Sequence, residues 1–180
     1  LVANELLEQN ESIPVTASAI LQEGNSGFHD GETFTREDLL NLTLLSSSND
    51  GAFAIAASAG ALITSDGDAS TFVEAMNIRA KELGLTQTYF RNPTGLDISE
   101  TESGAYGSAR DVTFLFEHIL TEYPGILVAT TEQSATIANN NGETHQAENT
   151  NPIVDRIPGL IGSKTGYTDL AGGNLAIAFD

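Results

Sequence analysis

The sequence predicts one domain of the mixed α/β (α+β) class, and three observations predict it. Apolar residues recur at helical spacing from Leu39 to Leu45, through Asp50 to Leu62, from Phe72 to Leu83 and from Val112 to Ile119. Asn140-Asn141-Gly142 parts two short runs in the manner of an Asn-Gly hairpin turn. Near the end, Leu160 and Ile161 lead into a strand-like stretch, and after a glycine-containing turn Asn174 to Phe179 alternates as its partner would. With 180 residues, 40% of them hydrophobic, the chain can build one core, and no run approaches the roughly 18 apolar residues of a membrane span.

Leu1 to Glu8 reads as the tail of a helix with Val2, Leu6 and Leu7 on one face, ended by Asn10 and Ser12. Ile13 to Leu21 reads as extended, and Glu23-Gly24-Asn25-Ser26-Gly27 as a loop. Thr35 is the N-cap of the next helix, with Glu37 and Asp38 favourable in its first turn. That helix delivers the chain to Ser46. Asp50 to Leu62 is alanine-rich and nearly uncharged, so it should be a helix buried almost all round. Ser70 then caps a helix whose buried stripe is Phe72, Val73, Met76, Ala80 and Leu83, and Gly84 takes the left-handed position beyond its end. Asn92-Pro93-Thr94-Gly95 is a turn, and Ser108 with Asp111 starts a helix carrying Val112, Leu115, Phe116 and Ile119. Pro124-Gly125 lies beyond that helix, and Ser134 to Ala138 pairs with Thr144 to Ala147 across the Asn-Gly turn. No repeat or linker divides residues 1–180.

Twenty-five acidic residues against seven basic ones give a formal net charge of -18, which opposes binding to nucleic acid or to anionic membrane surfaces. The acid is dispersed, as on a solvated surface. Zero cysteines exclude disulfides and thiolate metal sites, and His29, His118 and His145 lack any metal-ligand spacing, so no metal site is expected; the acyl-transfer reading below implies no cofactor either. Gly159 to Thr165 imitates a phosphate loop, but Ser163 and Pro158 stand where that motif needs glycine. Asp66, Asp68 and Ser70 imitate a calcium loop, yet Thr71 and Asn77 replace its glycine and closing glutamate. Asp97, Arg110 and Asp111 read as turn and cap residues rather than catalytic ones.

Two triplets remain as chemistry. Lys164-Thr165-Gly166 contains one of only two lysines in this acidic chain, and Ser47-Ser48-Asn49 sits before the alanine-rich helix. Together they suggest an acyl-transfer site. Such a reaction needs a nucleophile with a base, a proton donor for the leaving group, and dipoles or cations for the oxyanion and the substrate carboxylate. Ser47 can relay a proton, Asn49 can hold a substrate amide, and Lys164 can attract a carboxylate. Thr165 adds a hydroxyl, while Gly166 and Tyr167 offer edge-strand backbone. Alone, the first triplet reads rather as a helix cap and the second as a turn at a strand end.

With its contexts, the chain resembles the D-alanyl-D-alanine carboxypeptidases, serine peptidases among the penicillin-binding proteins, which use Ser-x-x-Lys, Ser-x-Asn and Lys-Thr-Gly in that order. The similar stretches are Leu44 through Asp50, Leu83-Gly84-Leu85, Asn92 through Asp97, Ser108 through Asp111, Asn149 through Pro152 and Gly162 through Asn174. The resemblance implies a penicillin-binding, β-lactamase-like fold, an antiparallel sheet with a helical region, truncated at both ends. It makes Ser47, Asn49 and Lys164 catalytic and Thr165, Gly166 and Tyr167 substrate-binding, the Tyr167 N–H helping to form the oxyanion hole. Its implied partners are a peptidoglycan stem peptide ending in D-Ala-D-Ala and β-lactams as inhibitors. Its implied place is extracytoplasmic, with any membrane contact through segments outside residues 1–180. β-Lactamase, DD-endopeptidase and a non-catalytic peptidoglycan-binding module stay open as alternatives.

One departure stands against the agreement. Ile78 and Ile161 lie three residues before Lys81 and Lys164, so the chain holds no Ser-x-x-Lys. The expectation is a partial catalytic domain whose nucleophile and base lie upstream of Leu1, inactive by itself.

Overall fold

The computed structural model describes residues 1–180 as helices α1 (Val2–Leu6), α2 (Ala17–Ile20), α3 (Arg36–Ser46), α4 (Asn49–Ile63), α5 (Ala69–Glu82) and α6 (Ala109–Glu122), interleaved with short strands. The strands form separate two-stranded antiparallel pairs rather than one continuous sheet: β1 (Ser12–Pro14) with β2 (Thr33–Thr35), β3 (Tyr89–Phe90) with β4 (Ala105–Tyr106), β5 (Ser134–Ala138) with β6 (Thr144–Glu148), and β7 (Leu160–Thr168) with β8 (Gly172–Phe179). A 3-10 segment, Pro124–Thr131, connects α6 to β5.

The main core is a cluster of 17 buried residues in which Ile13, Val15, Phe34, Leu39 and Leu45 are sealed from solvent between α3, α4 and the strand pairs β1–β2 and β5–β6. Thr35 starts α3 as its composition requires, its hydroxyl accepting from the Asp38 amide. Ser108 does the same for α6 with the Asp111 amide, and Gly84 takes φ 73° just beyond α5. Helix α4 buries Ala54, Ile55, Ala56 and Ala59, and small residues let it approach closely: a Cβ on Gly51 would strike the Thr43 hydroxyl and one on Gly60 the Asp68 carbonyl.

Some local expectations fail. Ile13 to Leu21 is not extended throughout, because Thr16 turns the chain and the helix formers Ala17 and Ala19 wind it into α2. Asp68, not Ser70, caps α5; its carboxylate accepts from the Ser70 and Thr71 amides, which a hydroxyl inside the helix cannot match. On α1 the buried residue is Ala3, with Leu7 buried just beyond its end, while Leu6 faces outward.

Hairpin β7–β8 places Lys164 opposite Ala176 and Gly166 opposite Asn174. It rests on a smaller cluster of 3 buried residues, Ile119, Ile126 and Leu127, and the Leu127 side chain occupies the space above Gly162 that a Cβ would need.

Candidate active site

The junction of α3 and α4 separates three adjacent polar residues. Ser47 ends α3 in the left-handed region, φ 58° and ψ 43°, the only non-glycine there, and its side chain is exposed. Ser48 turns inward, is buried, and caps α4 by accepting from the Gly51 amide at 2.9 Å. The helix-cap reading of this triplet therefore belongs to Ser48, which frees the Ser47 hydroxyl for other chemistry. Asn49, in the first turn of α4, donates Nδ2 to the Glu23 carbonyl at 2.8 Å. Its amide lies against the loop before β2 and braces it.

That loop is tied down a second time. The Ser26 hydroxyl meets Ser48 Oγ at 2.6 Å and the Ser26 amide donates to Asp50 Oδ2 at 3.1 Å, with Asp50 almost wholly buried.

From the other side, β7 brings Lys164 to Ser47. Its Nζ donates to Ser47 Oγ at 2.7 Å and to the Thr165 carbonyl at 2.7 Å. No carboxylate pairs with it, although the chain carries 25 acidic residues. Burial without a counter-charge pulls its pKa down from 10.5 to about 8. Near neutrality it is thus a cation with unspent attraction for an anion, and it is also close to giving up a proton. Because Lys164 donates to Ser47, the Ser47 O–H is left to donate elsewhere, which is the arrangement a proton relay needs.

Thr165 turns its hydroxyl to that of Thr150. Gly166 and Tyr167 continue β7 into solvent; a Cβ on Gly166 would meet nothing within 4 Å, so the strand face is open to a ligand lying along it. The Tyr167 side chain is 72% exposed. The structure therefore brings Ser47 and Lys164 into contact, commits the Asn49 amide to the Glu23 loop, and lays Thr165, Gly166 and Tyr167 along one strand.

Residues beyond the two triplets hold this geometry. Thr130, 1% exposed, accepts from the Ser163 amide at 3.0 Å, and Asn151 Nδ2 donates to Ser163 Oγ at 3.0 Å, so the residue preceding Lys164 is fixed on both its backbone and its side chain. Asn149 Nδ2 spans the Thr130 and Glu132 carbonyls, and its Oδ1 accepts from the Asn151 amide. Asp97 Oδ2 accepts from the Leu170 amide at 3.0 Å, securing the turn after β7, and Asp111 accepts from the Gln87 amide and the Thr88 hydroxyl. Asp97 thus bonds a turn as expected, whereas the Asp111 carboxylate does not cap α6 but bonds the Gln87–Thr88 loop, the cap itself coming from the Ser108 hydroxyl.

A second polar cluster lies away from the triplets. Glu32, buried, takes hydrogen bonds on Oε1 from His29 at 3.3 Å and His145 at 3.2 Å. Burial pushes its carboxyl up, but the His29 backbone and ring and the His145 charge outweigh that and hold it below the usual carboxylate range. The sequence scatters these histidines; hairpin β5–β6 folding against the loop before β2 gathers two of them. No group of three or more His, Asp or Glu is placed to hold a metal.

With this geometry in hand, comparison with known proteins is decisive. The D-alanyl-D-alanine carboxypeptidase family model matches residues 3–178. The chain belongs to that family. It is 36% identical over 138 residues to the D-alanyl-D-alanine carboxypeptidase DacF of Bacillus subtilis, covering 77% of this chain and 33% of DacF. It is 34% identical over 172 residues to the D-alanyl-D-alanine carboxypeptidase DacB2 of Mycobacterium tuberculosis, covering 95% of this chain and 55% of that protein. The chain thus spans a third to about half the length of these relatives. Among solved structures, penicillin-binding protein D2 of Listeria monocytogenes in its ampicillin-bound form superposes with a TM-score of 0.68 at 28% identity, over 96% of this chain and 65% of that one. The fold is accordingly that of the penicillin-binding proteins, with the β-lactamase-like mix of helices and antiparallel strands.

Proposed function

We propose that these residues form two walls of the cleft of a serine-type D-Ala-D-Ala carboxypeptidase, which removes the terminal D-alanine from peptidoglycan stem peptides. The observation that carries this reading is the Lys164 ammonium, unpaired with any acid, 2.7 Å from Ser47 Oγ across the groove. In the proposed reaction a serine oxygen attacks the penultimate D-Ala carbonyl, the C–N bond to the terminal D-Ala breaks, and the departing amine receives a proton through Ser47. Lys164 and Thr165 hold the terminal carboxylate, Asn49 is the amide-holding group at the cleft edge, and the exposed strand at Gly166 and Tyr167 offers a backbone N–H to the oxyanion. Attack needs a Ser-x-x-Lys, which residues 1–180 lack, so the reading places the nucleophile and base outside them. β-Lactams would inhibit by acylating that serine. The substrate is cell-wall material, so the site of action is extracytoplasmic; no helix of the chain is long and apolar enough to cross a membrane.

The test is hydrolysis of an acyl-D-Ala-D-Ala peptide against nitrocefin by the full-length gene product. Release of D-alanine with little nitrocefin turnover is expected; the reverse preference would mean a β-lactamase. Lys164→Ala should slow penicillin acylation by about 100-fold, the usual scale for a cleft cation or oxyanion donor. Unchanged acylation would remove Lys164 from the mechanism. The 180-residue chain alone should show no penicilloyl adduct by mass spectrometry.

A further inference from the structure

Thr150 lies outside both triplets, yet it touches both walls of the cleft. Its amide donates to the Leu45 carbonyl in the last turn of α3, two residues before Ser47, and its hydroxyl is bonded to that of Thr165 beside Lys164. The loop that carries it is fixed by Asn149 and Asn151, which hold the Thr130 carbonyl and the Ser163 hydroxyl. Its side chain is exposed and makes no other hydrogen bond.

In a hydroxyl pair one oxygen donates and the other accepts, and nothing intrinsic to two threonines decides which. A ligand carboxylate decides it. Ionised carboxylates only accept, so a Thr165 hydroxyl bonded to one must spend its proton there and receive a hydrogen bond from elsewhere. Thr150 is the group placed to give it. A chain from Thr150 O–H to Thr165 Oγ1, and from Thr165 O–H to the carboxylate, polarises each link in the same direction.

We infer that Thr150 is a positioning and specificity-determining residue, whose hydroxyl turns the Thr165 O–H toward a terminal carboxylate and so favours ligands that end in an acid over those that end in an amide. This rests on the carboxylate-binding reading of the cleft given above. Lys164 attracts an anion from any direction; the directional preference comes from the threonine pair.

The test titrates acetyl-D-alanyl-D-alanine and its C-terminal amide into the 180-residue chain, following Thr165 and Tyr167 amide resonances. Wild type should bind the acid more tightly than the amide. Thr150→Val keeps the backbone donor to Leu45 and loses only the hydroxyl; it should weaken acid binding about tenfold, leave the amide within about twofold, and leave Lys164 titrating near 8. Thr150→Ser should restore the preference. Equal acid binding by wild type and Thr150→Val overturns the inference while sparing the cleft reading. Equal binding of acid and amide by wild type overturns the cleft reading and the inference with it. If Thr150→Val fails to fold, Thr150→Ala makes the same comparison with no added methyl.

Discussion

The two segments that meet where Lys164 bonds Ser47 are held by different forces. Ser47 and Asn49 stand on α3 and α4, whose inner faces belong to the 17-residue apolar cluster, so their backbone is placed by packing. Lys164 stands on a hairpin backed by 3 buried residues, and the Thr130 hydroxyl, accepting from the Ser163 amide, and the Asn151 amide, donating to the Ser163 hydroxyl, hold it, with Asn149 bracing both. On the solvent side that hairpin leaves Ile161, Leu175, Ile177 and Phe179 largely exposed. Apolar packing is broad and forgiving of small shifts, whereas a polar bracket fixes position to a few tenths of an ångström and fails when one member is lost. The strand wall is therefore the part of the cleft whose placement depends on single residues.

Substitutions can break this contrast. The largest effect belongs to the apolar cluster behind α3 and α4: Phe34→Ala, on β2, should cost about 3–5 kcal/mol in urea unfolding, because it empties a sealed position. Ile177→Ala, on the exposed face of β8, should stay within about 0.5 kcal/mol, and a cost like that of Phe34 would mean that the hairpin is packed after all. Asn151→Ala should cost about 1–3 kcal/mol and shift the amide resonances of β7 more than those of α3, since it leaves buried groups without partners. Ser48→Ala should cost about 1 kcal/mol, the scale of one helix cap, with Lys164 undisturbed.

A pH dependence reads Lys164 itself. Its folded pKa, about 8, lies below its unfolded value of 10.5, so between those pH values the unfolded chain holds a proton that the folded chain has lost. Stability contributed by this group therefore rises with pH across that window. The melting temperature of wild type should climb relative to Lys164→Met from pH 8 toward pH 10.5, and parallel curves would show that the ammonium is not desolvated.

Much of this was legible in the chain because the relevant signals are local. Thr35 and Ser108 announce helix starts, Gly84 a helix end, and Asn140-Asn141-Gly142 a hairpin; each acts over a few residues and each is found where the sequence puts it. The pairing of Leu160–Thr168 with Gly172–Phe179 follows from alternation across a glycine turn. Ser47 and Lys164, 117 residues apart, were united by motif resemblance rather than by any local rule. What stayed hidden depends on contacts that no pattern encodes: the bracket of Thr130 and Asn151 around Ser163, the hydroxyl pair of Thr150 and Thr165, and the gathering of His29 and His145 about Glu32. Asp68 escaped because two candidate caps stood two residues apart, and the stronger acceptor prevailed.

The left-handed backbone at Ser47 carries a consequence for how this junction evolves. A side chain there costs about 1–2 kcal/mol that glycine would not, so Ser47→Gly should raise the unfolding temperature while Ser47→Ala does not. Drift toward thermal robustness would erase the hydroxyl first. Where serine persists at such a position, it does so in spite of the folding equilibrium, which makes a sturdier glycine variant with a weakened cleft a direct gauge of what that oxygen is for.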